Sequence, residues 1–266
     1  MALHTYTVEV IAQTDAHEGP VYAADEHALY FTSLPVDDGT AIRRLDLDTH
    51  EVTTVVPDAN RANGMTMDRE GHLVVCEQGG HETPARITRL DRATLNGETL
   101  VDGFGGRPLN SPNDVAVARD GAIWFTDPSY GHLQGFRPEP ALPDRVYRLA
   151  DGRLDVAADG FDKPNGLAFS PDERTVYVTD SGTAEVIALD GNGRRRLATT
   201  DLPDGVVTDV DGRVYVSSST GVQVFDAAGA AVGEIPVPGA VNFAWGGASR
   251  LYIITDTAVW AAELGA

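Results

Sequence analysis

The sequence predicts an all-β chain folded as a six-bladed β-propeller, with four antiparallel strands in each blade. Three observations carry this. Short apolar runs rich in Val, Ile, Tyr and Phe alternate with clusters of Gly, Asp, Asn and Pro, and no stretch shows helical periodicity. One phrase occurs six times: a polar residue, a short apolar run, an Asp-Gly-like turn, then a second apolar run that ends in a small or acidic residue. The copies start at positions 18, 63, 113, 165, 204 and 242, so they step by 45, 50, 52, 39 and 38 residues, the length of one four-stranded blade.

Each copy supplies the two inner strands of a blade, and the chain that follows supplies the outer pair. The first runs from Glu18-Gly-Pro-Val-Tyr to Tyr-Phe-Thr-Ser33, and Ala41-Ile-Arg-Arg-Leu-Asp with Val52-Thr-Thr-Val-Val completes its blade. The second, Asn63-Gly-Met-Thr-Met to Leu-Val-Val-Cys-Glu77, continues into Arg86-Ile-Thr-Arg-Leu-Asp. The third, Asn113-Asp-Val-Ala-Val to Ile-Trp-Phe-Thr-Asp127, continues into Val146-Tyr-Arg-Leu. The fourth, Asn165-Gly-Leu-Ala-Phe to Val-Tyr-Val-Thr-Asp180, continues into Val186-Ile-Ala-Leu-Asp. The fifth, Asp204-Gly-Val-Val-Thr to Val-Tyr-Val-Ser-Ser218, continues into Val222-Gln-Val-Phe-Asp. The sixth runs from Asn242-Phe-Ala-Trp-Gly to Leu-Tyr-Ile-Ile-Thr-Asp256. The segment from Thr5 to Val10 is expected to pair with this last blade and close the ring, which removes the exposed edges of an open sheet. No linker interrupts the pattern, so residues 1–266 are expected to form a single domain.

Composition narrows the function. Of the 266 residues 42% are hydrophobic, enough for a core, and no apolar run approaches the roughly 20 residues that span a bilayer. The start, Met-Ala-Leu-His-Thr-Tyr, lacks a basic and an apolar region, so no signal peptide is read and a cytoplasmic location is expected. Cys76 is the only cysteine, which excludes an internal disulfide and a thiolate metal cluster and suits a reducing compartment. Forty acidic residues against 20 basic ones give a net charge of −20. Such a surface repels phosphate backbones and anionic lipid, so nucleic acid and membrane are poor partners; the oligomeric state is left open.

In a propeller the first strand of each blade lines the central channel. The alignment therefore places six side chains in a ring at one mouth: Glu18, Asn63, Asn113, Asn165, Asp204 and Asn242. All are carboxylates or carboxamides. Such oxygens suit a hard divalent cation, Ca²⁺ above all, and two carboxylates neutralise one such ion. The ring has no His or Cys, which argues against a nitrogen- and sulfur-bound zinc. The alternative is a wet polar channel in which Asn and Asp begin strands because they suit turns. A second set, Ser33, Glu77, Asp127, Asp180, Ser218 and Asp256, ends the second strands and would lie near the same mouth, orienting ligands or bound water. Arg61, two residues before Asn63, and the histidines His17, His81 and His132 lie close enough in sequence to the predicted mouth to meet a substrate.

Several runs together resemble one family. These are Glu18-Gly-Pro-Val-Tyr, Leu109-Asn-Ser-Pro-Asn-Asp-Val-Ala-Val, Ile123-Trp-Phe-Thr-Asp-Pro-Ser-Tyr-Gly, Lys163-Pro-Asn-Gly-Leu-Ala-Phe-Ser-Pro-Asp and Leu202-Pro-Asp-Gly-Val. They are similar to the senescence marker protein/gluconolactonase/luciferin-regenerating-enzyme-like family, in the wording of its bacterial gluconolactonases. The resemblance implies a six-bladed propeller with one divalent metal at the channel mouth (Ca²⁺ favoured; Mg²⁺, Mn²⁺ and Zn²⁺ also fit) that hydrolyses sugar lactones, so the partner it implies is a small-molecule substrate, a lactone. Carried over by position, it implies metal ligands at Glu18, Asn113, Asn165 and Asp204, with Asp204 also catalytic, as base or as nucleophile. In some members the position of Asn113 serves the substrate instead. Asn63, Arg61, His81, Asn242 and Asp127 are the expected substrate contacts. The animal branch has an arginine two residues before the Asn113 position, where this chain has Ser111, and the loop Gln78-Gly-Gly-His-Glu-Thr-Pro-Ala85 departs from the family's shorter wording. Other readings of the same scaffold are hydrolysis of phosphotriesters or other esters, a binding propeller with a structural ion, and a biosynthetic lyase or isomerase.

Overall fold

The computed structural model describes residues 6–35 and 39–264, so Thr5 of the expected closing strand lies outside the described residues. Six four-stranded antiparallel sheets form the blades of a propeller. Blade 1 holds Glu18–Ala23, Ala28–Thr32, Ile42–Asp46 and Val52–Val56, and blade 2 holds Ala62–Met67, Leu73–Glu77, Arg86–Leu90 and Gly97–Val101. Blade 3 holds Val115–Val117, Ile123–Asp127, Arg145–Ala150 and Arg153–Ala158, and blade 4 holds Pro164–Phe169, Val176–Asp180, Glu185–Asp190 and Gly193–Thr199. Blade 5 holds Val206–Thr208, Val214–Ser218, Gly221–Phe225 and Ala231–Ile235. Blade 6 holds Asn242–Trp245, Arg250–Thr255 and Ala258–Leu264, and its outermost strand is Tyr6–Gln13. That strand pairs antiparallel with the last one, from Tyr6 opposite Leu264 to Gln13 opposite Ala258, and closes the ring as the sequence predicts.

The core is six apolar layers, one between each pair of neighbouring blades. Strand alternation makes them: successive side chains leave opposite faces of a blade, so each strand feeds two layers. In blade 2, Leu73 and Val75 pack against Tyr30 and Ile42 of blade 1, while Val74 and Cys76 pack against Phe125 and Tyr147 of blade 3. In blade 1, Leu29 and Phe31 face the other way, against Tyr252 and Ile254 of blade 6. Each such side chain contributes about 1.5–3 kcal/mol by leaving water. Cys76 is part of this core, and burial pushes its thiol well above the ordinary value.

Around the axis the inner strands approach too closely for side chains to separate them. The residue after the ring position is glycine in four blades, and there a neighbouring backbone occupies the place of a Cβ. A Cβ on Gly64 would sit 2.4 Å from Asn113 O, and one on Gly166 would sit 2.4 Å from Asp204 O. The same approach makes hydrogen bonds between blades: Gly64 N donates to Asn113 O at 2.7 Å, Gly166 N to Asp204 O at 3.1 Å and Gly205 N to Val241 O at 2.9 Å. Hydroxyls on the second strands add to the belt. Thr126 Oγ1 donates to Asn165 O at 2.7 Å and Thr179 Oγ1 to Asp204 O at 2.6 Å, while Thr32 Oγ1 lies 3.0 Å from Glu18 O and 3.2 Å from Asn63 O. In blades 1, 2 and 4 the ladder slips over the first residues of the inner strand, between Glu18 and Val21, Ala62 and Met65, and Pro164 and Leu167. Bulges of this kind re-aim a side chain; in blades 2 and 4 they release Asn63 and Asn165 from the ladder, while in blade 1 Glu18 stays paired with Thr32 and the slip falls just after it.

Gly166→Ala is expected to lower stability by about 1–3 kcal/mol, the usual cost of forcing atoms into a packed site. Gly191→Ala, where the added methyl meets nothing within 4 Å, is expected to stay within about 0.5 kcal/mol. Chemical denaturation of the two variants checks this, and equal midpoints would contradict the close-approach argument.

Candidate metal and active site at the channel mouth

Five of the six ring positions meet at one mouth of the channel, around a pocket of roughly 290 Å³, and Asn242 stands behind them. Glu18, Asn63, Asn113, Asn165 and Asp204 line it, with Arg61, Gln78, Tyr130, Phe136 and Ser181 among their neighbours. Its decisive feature is a surplus of acceptors. Asn63 Oδ1, Asn113 Oδ1, Asn165 Oδ1 and Asp204 Oδ1 are buried and have no hydrogen-bond partner among the described residues. One buried unpaired acceptor costs roughly 1–3 kcal/mol, and four around a single pocket present a shared set of oxygens to one ligand. The oxygen-only donor set fits a hard cation.

The network around these residues sets which atoms face the pocket. Asn165 Nδ2 donates to Ser181 Oγ at 3.1 Å and lies 3.4 Å from the Tyr130 hydroxyl, which leaves Oδ1 for the pocket. Ser181 Oγ in turn donates to Pro203 O at 2.6 Å. Glu18 Oε2 accepts from Gly19 N at 3.0 Å and from Asn242 Nδ2 at 2.8 Å, so Oε1 is left for the pocket. Asp204 is held through its backbone, with its N–H donating to Ser217 Oγ at 2.8 Å, and it is the one ring residue that is only partly buried.

Burial dominates the electrostatics. It raises the Glu18 carboxyl to about 8, and the charge of Asp204 adds to the rise. Burial raises Asp204 to about 7; the polar groups of Glu18 and Asn165 nearby oppose the rise, and the charge of Asp114 adds to it. Asp114, beside Asn113, is raised to about 7 by burial and then by the Glu18 charge; its two oxygens accept Val115 N at 2.9 Å and Leu167 N at 3.0 Å and so tie blade 3 to blade 4. Three crowded carboxyls that resist ionising together are the electrostatic counterpart of a site built for positive charge.

The remaining expected contacts fall in other places. Asn242 stands behind Glu18 and orients it. Asp127 is fully buried, and its oxygens accept Asn110 N and Ser111 N, each at 2.9 Å, which holds the loop that leads to Asn113. Asp180 does the same for the loop before Asn165, accepting Asp162 N at 3.0 Å and Lys163 N at 2.9 Å. Glu77 accepts Asn60 Nδ2 at 2.7 Å and Arg86 Nε at 2.6 Å, and Asp256 meets His17 Nδ1 at 2.9 Å. The second set of polar residues thus braces loops. Ser111 is buried, donating to Pro128 O at 2.6 Å and accepting Gly131 N at 2.9 Å, so it anchors the short helix Tyr130–Leu133. Arg61 reaches the pocket from blade 2, with its guanidinium 4.3 Å above the Phe136 ring. His81 lies in an adjoining cavity, with Nε2 3.1 Å from Gly135 O. Tyr130, Ser181 and Phe136 had no individual sequence signal, because they lie between the repeats; only the run Asp-Pro-Ser-Tyr-Gly hinted at the first.

A second acidic group, Asp68, Glu70 and His72, lies at the far turn of the blade 2 inner hairpin. Asp68 Oδ1 accepts Glu70 N at 3.0 Å and His72 N at 2.9 Å, and Oδ2 pairs with Arg89 at 2.9 Å, so this carboxylate already holds its turn together.

Residues 16–257 match the family described as the SMP-30/Gluconolactonase/LRE-like region. The chain belongs to this family. Among its relatives, a gluconolactonase of Zymomonas mobilis is 30% identical over 262 residues, which cover 86% of this chain and 72% of that one. A lactonohydrolase of Aspergillus oryzae is 32% identical over 184 residues, 65% of this chain but 42% of that longer protein. A solved gluconolactonase from Xanthomonas campestris is 35% identical, superimposes with a TM-score of 0.88, and covers 100% of this chain and 96% of its own.

The raised carboxyls predict an unusual pH response. A carboxyl whose folded pKa exceeds its unfolded value stabilises fully below the unfolded value, and that stability is lost as pH rises through the folded one. For Glu18, Asp114, Asp127 and Asp204 the window runs from about pH 4 to about 8. Metal-free protein is expected to melt at progressively lower temperature across it, and Asp204→Asn is expected to flatten the slope. Melting curves read by circular dichroism test this, and identical slopes would count against it.

Proposed function

We propose that the chain is a metal-dependent hydrolase of a sugar lactone, with one divalent cation, Ca²⁺ favoured, held by Glu18, Asn113, Asn165 and Asp204. The observation that carries the reading is the convergence of unpaired buried side-chain oxygens on one pocket. Carbonyl and carboxylate oxygens match Ca²⁺, and Mg²⁺ and Mn²⁺ share the preference. The relatives named as gluconolactonase and lactonohydrolase support the substrate class. When bound, the ion supplies positive charge to the lactone carbonyl oxygen and to the oxyanion that develops there.

The chain's own groups do the rest. Glu18 and Asp204 bring the two negative charges, and Asn242 with Gly19 N fixes the carboxylate of Glu18. Asp204 reaches the pocket and takes the proton of an attacking water as the water oxygen bonds to the carbonyl carbon. The bond from that carbon to the ring oxygen breaks, the proton passes from Asp204 to the departing oxygen, and the open-chain acid results. Arg61 and Asn63 offer hydrogen bonds to sugar hydroxyls. Tyr130 and Phe136 form walls that limit water around the carbonyl.

Acid release from a panel of sugar lactones, with phosphotriesters as a comparison arm, tests the reading. Metal-stripped protein is expected to be inactive and to recover when Ca²⁺ is returned. Asp204→Asn is expected to lose about 10²- to 10⁴-fold in kcat. Full activity after stripping, or turnover of triesters alone, would overturn it. Asn242→Ala removes a brace of Glu18, not a ligand, and is expected to weaken ion binding by about 10- to 100-fold in calorimetry.

A further inference from the structure

We infer that the pocket at the ring is the inner half of a longer groove, and that the outer half receives a second sugar unit, so that the favoured substrate is a lactone still joined to another sugar. The inference rests on the lactone reading for the identity of the inner ligand. A cavity of roughly 840 Å³ adjoins the ring pocket, and the two share Pro35, Arg61, Gln134 and Phe136 as walls. At roughly 290 Å³, the inner pocket is at the lower edge of the ~300–1,000 Å³ usual for small-molecule sites, so a ligand larger than one sugar ring must extend outward.

The outer cavity is built, not a gap between loose loops. Its far wall, residues 79–84, is fastened by Arg137, which is only 8% exposed. Arg137 Nη1 donates to Gly80 O at 2.8 Å and Thr83 O at 3.0 Å, Nε donates to Asn110 O at 3.0 Å, and Nη2 donates to Leu109 O at 3.0 Å. A buried guanidinium is costly, and burial lowers its pKa; spending one on four backbone carbonyls fixes the loops of blades 2 and 3 to each other. At the junction, Asn60 and Arg61 both adopt left-handed backbone conformations, with φ of 50° and 55°. Gly79 N donating to Asn60 O at 3.2 Å and Gln78 N donating to Arg61 O at 3.1 Å hold them there. Backbone strain kept by its surroundings is typical of a place where a side chain must be aimed, and Arg61 is aimed between the two halves.

The lining indicates the ligand class. Asp58, Glu82, Gln134 and Arg86 offer polar atoms of both charges, and Phe136 and Pro84 offer small flat apolar surfaces. Hydrogen-bonding groups with isolated flat surfaces suit a sugar ring, with its hydroxyl edge and C–H faces. A fatty acyl chain needs a continuous apolar wall, which this cavity lacks, and its carboxylates and guanidiniums together give no excess charge for an ionic extension.

Calorimetry on the full chain with its ion tests this, with gluconate compared against cellobionate, maltobionate and melibionate. All four share one acid head, so the ion and ring contribute alike and cancel in the ratios. At least one disaccharide acid is expected to bind about tenfold tighter or more than gluconate, and Thr83→Trp is expected to bring that ratio towards one. Should Thr83→Trp fail to fold, Glu82→Trp on the same wall replaces it. Gluconate binding as tightly as every disaccharide acid overturns the inference, as does an unchanged ratio in a folded variant. Tight binding of a disaccharide acid without turnover of any lactone supports the subsite and removes the hydrolase reading. Turnover of gluconolactone without a disaccharide preference does the reverse.

Discussion

The distance between the inner strands at the axis governs this molecule. Six strands converge, and in four of the blades the neighbouring chain fills the space where a Cβ would stand. Glycine at 19, 64, 166 and 205 is the only residue that permits this approach. Once the strands are that close, backbone N–H groups and threonine hydroxyls reach across the blade boundaries, and the belt of hydrogen bonds is fixed. The residue before each glycine is then held at the mouth of the channel. A structural need for glycine and a chemical need for an oxygen-bearing side chain thus stand side by side in the chain, and this explains why the words Glu-Gly, Asn-Gly and Asp-Gly recur.

That coupling made the ring legible in the sequence. The same phrase had to recur for the blades to pack, so aligning the copies aligned Glu18, Asn63, Asn113, Asn165, Asp204 and Asn242 without knowledge of the fold. What escaped lies outside the repeat. Tyr130, Ser181, Phe136 and Arg137 come from connections that differ from blade to blade, and no periodicity marks them. Residue type alone also misleads about role. Asp127 and Asp204 are both acidic residues at the end of a strand or its approach, yet Asp127 turns back to cap its own loop and Asp204 stays open to the pocket. The difference is the direction in which the strand is running when the residue is reached, and hence which backbone N–H groups stand within range.

The polar residues divide into two layers with opposite needs. Asp127 and Asp180 are satisfied by two backbone N–H groups each and make rigid the loops that enter blades 3 and 4. The ring itself is left unsatisfied. Rigidity in the outer layer keeps the inner oxygens from turning away to find partners of their own, so the shortage of donors persists at one point. Burial then makes negative charge costly there, and the cation of the proposed function would relieve both conditions together.

The closing strand links this chemistry to the history of the chain. Blade 6 draws three strands from the late sequence and one, Tyr6–Gln13, from the early sequence, and the brace on Glu18 comes from Asn242 in that same blade. A chain leaving the ribosome has made five blades before Asn242 appears, and its first ring residue has waited throughout without its partner. Contacts so distant in sequence form late and slowly. The site is therefore the last thing the protein completes, and a molecule whose Glu18 is correctly oriented is one whose circle has already closed.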